Sequence, residues 1–148
     1  MYHNSFEGGL VEHSVNVFEC LSKLGNISGF SKESVAIVSL FHDLCKVNTT
    51  IVSTRNVKNE ITGKWEKQPF YKIENKFPYG HGEKSVYLIL KHMNLTDEEA
   101  MAINWHMGGF DERSSGYDLS TAFNMNRLAV ELHIADLRAT FEIENKKN

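Results

Sequence analysis

The stretch SLFHDLCK, Ser39 to Lys46, sets a histidine beside an aspartate inside a run that otherwise reads as protein core. Val35, Ala36, Ile37 and Val38 precede it, and Leu40, Phe41, Leu44 and Cys45 continue it, so the segment is apolar nearly all round. That pattern predicts a central buried helix over residues 32–46. Ser31 caps its start and Glu33 lies in its first turn. At about 100° of rotation per residue, Ser39, His42, Asp43 and Lys46 share one arc roughly 100° wide. An ionised Asp or Lys in a dry core costs several kcal/mol unless it is compensated. A polar arc on a core helix therefore reads as the lining of a cavity.

Further helices are expected over residues 9–24, 81–93, 97–106 and 120–143. On the first, His13 shares a face with Leu10, Val17, Cys20 and Leu21, so it points inward. The third opens at His81, which lies on one side with Ser85, Leu88 and His92. TDEE, Thr96 to Glu99, is a capping box that starts the fourth. His106 ends that helix just before Gly108 and Gly109, where the chain can turn. On the last, Asp136 lies near Ala129, Leu132 and Thr140. Four histidines and two aspartates thus point to the interior from five helices. Mixed imidazole and carboxylate donors suit Mn²⁺, Fe, Co²⁺, Ni²⁺ or Zn²⁺ better than Mg²⁺. The two oxygens of the Asp43 carboxylate suit it to lie between two such ions. His3, His92 and His133 read as structural or as partners of ligands, with His133, three residues before Asp136, first among them. Cys20 and Cys45 read as core residues, Cys45 lying off the polar arc. Glu142 to Asn148 reads as a polar tail.

The chain has 148 residues, which argues for one domain. Its 16 Lys and Arg against 19 Asp and Glu exclude a globally basic nucleic-acid binder. With no leader or membrane-spanning run in sight, a cytoplasmic location and reduced thiols are expected. TIVSTRNVKNEITGKWEKQPFYKIE, Thr50 to Glu74, carries β-branched and aromatic residues around Thr62-Gly63, which predicts a β-hairpin inserted over about 51–73. Residues 51–76 hold six basic and three acidic side chains, a local charge of +3. Arg55, Lys58 and Trp65 are candidates to grip a nucleotide by charge and stacking. Apolar residues on several sides of the last helix, among them Phe123, Val130, Ile134 and Phe141, point to a homodimer.

The order of His13 in GGLVEHSV, His42-Asp43 in FHDLCK, His81 in YGHGEKS, His106 in NWHMGG and Asp136 in HIADLRA resembles the HD-domain superfamily of metal-dependent phosphohydrolases. The resemblance implies an all-α HD-domain bundle, here with the inserted hairpin, spanning residues 1–148. It implies that His13, His42, Asp43 and Asp136 hold one divalent ion. His81 and His106 would hold a second, with Asp43 as the bridge. The implied activity is hydrolysis of a nucleotide phosphate ester by metal-activated water, with Asp43 orienting the water and Lys46 on a phosphate oxygen. GGLVEHS is also similar to the HD domain of a bacterial 3′-5′ exoribonuclease group, which keeps a nuclease of short single-stranded RNA or DNA as the alternative. A non-catalytic nucleotide-binding module is the reading from outside enzymology.

Overall fold

The computed structural model describes residues 7–114 and 117–145. It is mostly helical, with one two-stranded antiparallel sheet. The chain divides into two compact units, one formed by residues up to Cys45 and from Tyr79 onward, the other by Lys46–Pro78. Among the described residues, no helix is long and apolar enough to cross a membrane.

The first unit holds α1 (Gly9–Leu24), α2 (Lys32–Phe41), α3 (His81–Leu90), α4 (Asp97–Trp105), α5 (Tyr117–Met125) and α6 (Arg127–Arg138). Its core gathers Val17 and Leu21 of α1, Val38 of α2, Ile103 of α4, and Leu128 and Leu132 of α6, all inaccessible to solvent. Burial of such side chains contributes about 1.5–3 kcal/mol each and is what binds the helices together. Helix α6 packs on both α1 and α4, α1 on α2, and α3 on α4. The caps read from sequence are in place. Ser31 Oγ accepts from Ser34 N–H at 2.9 Å, and Thr96 and Glu99 close their capping box.

Three expected elements differ. The second helix stops at Phe41 rather than running to Lys46: His42 and Asp43 occupy its end, and Leu44–Lys46 form a tighter 3₁₀ turn. The third helix ends at Leu90, three residues short of expectation. The expected helix over 120–143 is two helices, broken at Asn126, whose backbone is extended (φ −128°, ψ 97°). Asn126 is buried. Its Oδ1 accepts from Ala129 N–H at 3.3 Å, and its amide donates to the Glu98 carbonyl at 2.7 Å. One side chain thus caps α6 and ties it to the start of α4. Asn126→Ala should remove the donor to the Glu98 carbonyl and leave Ala129 N–H only its 3.2 Å bond to the backbone carbonyl of residue 126, at a cost of about 2 kcal/mol. Thermal unfolding should show a Tm lower by roughly 4–8 °C.

After α6 the chain widens into a π-helical stretch, Ala139–Glu144. The expected polar tail is therefore structured at its start, and Glu144 is buried.

In the second unit, β1 (Thr50–Lys58) pairs antiparallel with β2 (Trp65–Ile73), from Thr50 opposite Ile73 to Lys58 opposite Trp65. The turn is held by Asn59, whose Oδ1 accepts from Ile61 and Thr62 N–H groups. Gly63 supplies the positive φ (69°) that the turn requires.

Candidate metal centre

The structure brings together all six side chains singled out as ligands. His13 comes from α1, and His42 and Asp43 from the end of α2. His81 opens α3, His106 closes α4, and Asp136 lies on α6. Asp43 is at the centre. Its Oδ2 faces His13 Nε2 at 3.6 Å and His42 Nε2 at 3.7 Å, and its Oδ1 faces His81 Nε2 at 2.6 Å and His106 Nε2 at 3.6 Å. Asp136 Oδ1 is 3.2 Å from His13 Nε2. Ligand atoms of His13, His42 and Asp43 lie within 4.8 Å of one another, as do those of His42, His106 and Asp136, and of Asp43, Cys45 and His81.

Two of the histidines are aimed by the same local device. Each stands at a helix C-terminus, where the last carbonyls lack intrahelical donors. His42 Nδ1–H donates to the Ser39 carbonyl at 2.8 Å, and His106 Nδ1–H donates to the Ile103 carbonyl at 2.7 Å. With the proton fixed on Nδ1, the Nε2 lone pair points into the cluster. His106 Nε2 is buried and has no hydrogen-bond partner, the situation of a donor atom awaiting an electrophile. The donor chemistry, imidazoles around carboxylates, fits a divalent transition ion.

Electrostatics separate the histidines. Burial pushes His42 down to about 4, so it is neutral at neutral pH. Burial also acts to lower His13, but its hydrogen bond to Asp136 and the charges of Asp136 and Asp43 outweigh that and lift it to about 8. His81 is lifted to about 9 against its own burial by the hydrogen bond to Asp43. Asp136, which burial alone would raise, is held near 2 by His13.

Three residues escaped the sequence reading. Glu144 Oε1 accepts from His13 Nδ1–H at 2.9 Å and from Asn16 Nδ2–H at 3.1 Å, so a carboxylate holds this ring as carbonyls hold the other two. Nothing in a glutamate near the end of a charged run signals that; only the π-helical turn buries it. Cys45 is buried, as expected of a core residue, but its Sγ also lies 3.4 Å from His81 Nε2, a contact the sequence reading did not include. Arg113 donates to both oxygens of Asp111 (2.9 and 2.6 Å), pairs with Glu83 at 2.6 Å, and lies over the Trp105 ring. It walls a cavity of about 350 Å³ beside His81, lined also by Tyr79, Met107 and Phe110.

His133, expected as a ligand's partner, supports the turn after His106. Its Nδ1–H donates to the His106 carbonyl at 2.6 Å, and its ring fills the space beside Gly108, where φ is 54° and an added Cβ would come within 2.6 Å of it. His92 is exposed at the end of α3, and His3 lies outside the described residues. Lys46, Arg55, Lys58 and Trp65 belong to the hairpin unit. All four are exposed there, with Arg55 over the Phe70 ring and Lys58 opposite Trp65.

The model of the HD domain family matches residues 10–139, a span that contains all six clustered residues. Neither a search of curated proteins nor one of solved structures gave a match. The family match covers most of the sequence and the cluster carries the family's donor chemistry: the chain belongs to the HD-domain family, whose members are generally metal-dependent phosphohydrolases.

Proposed function

We propose that this chain is a two-metal phosphohydrolase that releases phosphate from a nucleotide. The observation that carries the reading is the Asp43 carboxylate, with one oxygen toward His13 and His42 and the other toward His81 and His106. In the proposal His13, His42, Asp43 and Asp136 hold one ion, and Asp43, His81 and His106 the other. Divalent ions there supply Lewis acidity to a phosphoryl oxygen and bring the pKa of a water toward neutrality. The chain's own part is to aim Nε2 atoms at the cluster, their rings fixed by the Ser39 and Ile103 carbonyls and by Glu144. Asp43 also orients the attacking water.

The cavity beside His81 supports a ring-bearing substrate. Tyr79 and Phe110 are 52% and 68% exposed at its edge, large apolar faces suited to stacking a base. Arg113 is already matched by Asp111 and Glu83, so that wall offers no free positive charge. The cavity is therefore assigned to the base, and the phosphate to the metal cluster. Lys46, Arg55, Lys58 and Trp65 stay in the proposal as contacts to phosphate and base, on the charge and ring chemistry of their side chains.

The test is phosphate release from a panel of nucleotides with Mn²⁺, Co²⁺ or Zn²⁺. Release that chelator abolishes and metal restores is expected. Shortening of labelled oligonucleotides without release from nucleotides would favour the nuclease instead, and tight nucleotide binding with no turnover in any metal a regulatory module. Within this reading Glu144→Gln, which keeps an acceptor for His13 but loses its charge, should weaken metal affinity about 10–100-fold. Calorimetric metal titration measures it.

A further inference from the structure

We propose that Cys45 is itself a metal ligand, giving the ion on the His81 side a thiolate donor and a preference for zinc-, cobalt- or ferrous-type ions over Mn²⁺ and Mg²⁺. This rests on the metal-dependent reading above and concerns one position within it.

Cys45 is buried (5% exposed), yet it has no place in the contiguous apolar core that contains Cys20 at the same exposure. Its Sγ is turned instead to His81 Nε2 at 3.4 Å, and Sγ, that nitrogen and an Asp43 oxygen lie within 4.8 Å of one another. Sulfur and nitrogen bound to one tetrahedral zinc-like ion, at about 2.3 and 2.0–2.1 Å, stand about 3.5 Å apart. The pair is thus spaced as two ligands of one ion. The Cys45 backbone N–H donates to Ser85 Oγ at 3.0 Å, and Ser85 is wholly buried on α3, four residues after His81. The segment that carries the thiol is therefore fixed to the helix that carries the imidazole. The orphan His106 Nε2 is a second, independent sign of a missing electrophile here. Its ring lies 5.3 Å from that of His81, and both rings face the same Asp43 oxygen.

The geometry comes from the end of α2. Had the helix continued, Cys45 would lie off the arc of His42 and Asp43; the 3₁₀ turn at Leu44–Lys46 advances it by about 120° per residue and brings Sγ round. On ligation the thiol gives its proton to solvent and shares a lone pair, with no change of oxidation state. A soft donor of this kind selects softer ions.

The full chain, loaded with Co²⁺ under anaerobic conditions, provides the test. The wild type should show an intense near-ultraviolet sulfur-to-cobalt charge-transfer band beside the weaker visible bands of the ion. Cys45→Ser should lose that band, keep the visible ones and bind Zn²⁺ at least tenfold more weakly, with Mn²⁺ affinity unchanged. Cys20→Ser should retain the band. Stoichiometric cobalt uptake by the wild type with no such band overturns the assignment while leaving the metal centre standing, and needs no variant to fold. No cobalt uptake at all overturns both.

Discussion

Asp43→Ala is expected to leave a folded chain that has lost its metal and, with it, turnover by on the order of 10³-fold or more. Four imidazole nitrogens face this one carboxylate, two on each oxygen. In the proposed assignment both ions share this carboxylate, so its loss disrupts both. The fold survives for a chemical reason. Removing a partner from a buried ion pair is costly when the remaining charge cannot leave. Here the partner most affected is His81, which is lifted to about 9 through its bond to Asp43 and can shed its proton once that bond is gone. Circular dichroism, metal analysis and phosphate release on the same sample separate the three properties. Activity within tenfold of wild type would contradict the assignment.

The second large effect is expected from a glycine. Gly82, one residue after His81, is where α3 meets α4, and a Cβ placed there would overlap the Asn104 carbonyl. The obstacle is helix backbone, which has no rotamer to yield. Gly82→Ala must push α3 away from α4, and the displacement falls between His81 and His106, whose rings stand 5.3 Å apart. Overpacking of this kind costs typically 1–3 kcal/mol. A Tm lower by roughly 2–12 °C follows, together with a loss of at least tenfold in metal affinity. Gly109→Ala is the control. Nothing lies within 4 Å of its added Cβ, so both quantities should stay at their wild-type values.

Much of this centre was legible in the sequence because its ligands sit on strongly patterned helices. His13 and Asp136 announce their direction by the apolar residues around them, and Ser31 and the TDEE box mark helix starts by their own hydrogen-bonding chemistry. What could not be read depends on departures from the helical period. His42 and Asp43 meet the cluster from the end of a helix that stops early, and the tighter turn beyond it brings Cys45 to His81. Asn126 breaks what periodicity alone joins, although an asparagine before the apolar run RLAV is an N-cap signal that could have been used. Glu144 reaches His13 through a π-helical turn for which the sequence carries no periodic mark. Arg113 pairs with Glu83 of α3 as well as with its near neighbour Asp111, and the first of these contacts is one that only the fold creates.

The central claim is that one carboxylate is shared by two ions. Diffraction from crystals of the full chain grown with Mn²⁺, Co²⁺ or Zn²⁺, recorded at the metal's absorption edge, tests it directly. The account predicts two anomalous peaks flanking Asp43, one beside Oδ2 with His13 and His42, the other beside Oδ1 with His81 and His106. A single peak, or metal bound only away from Asp43, would contradict it.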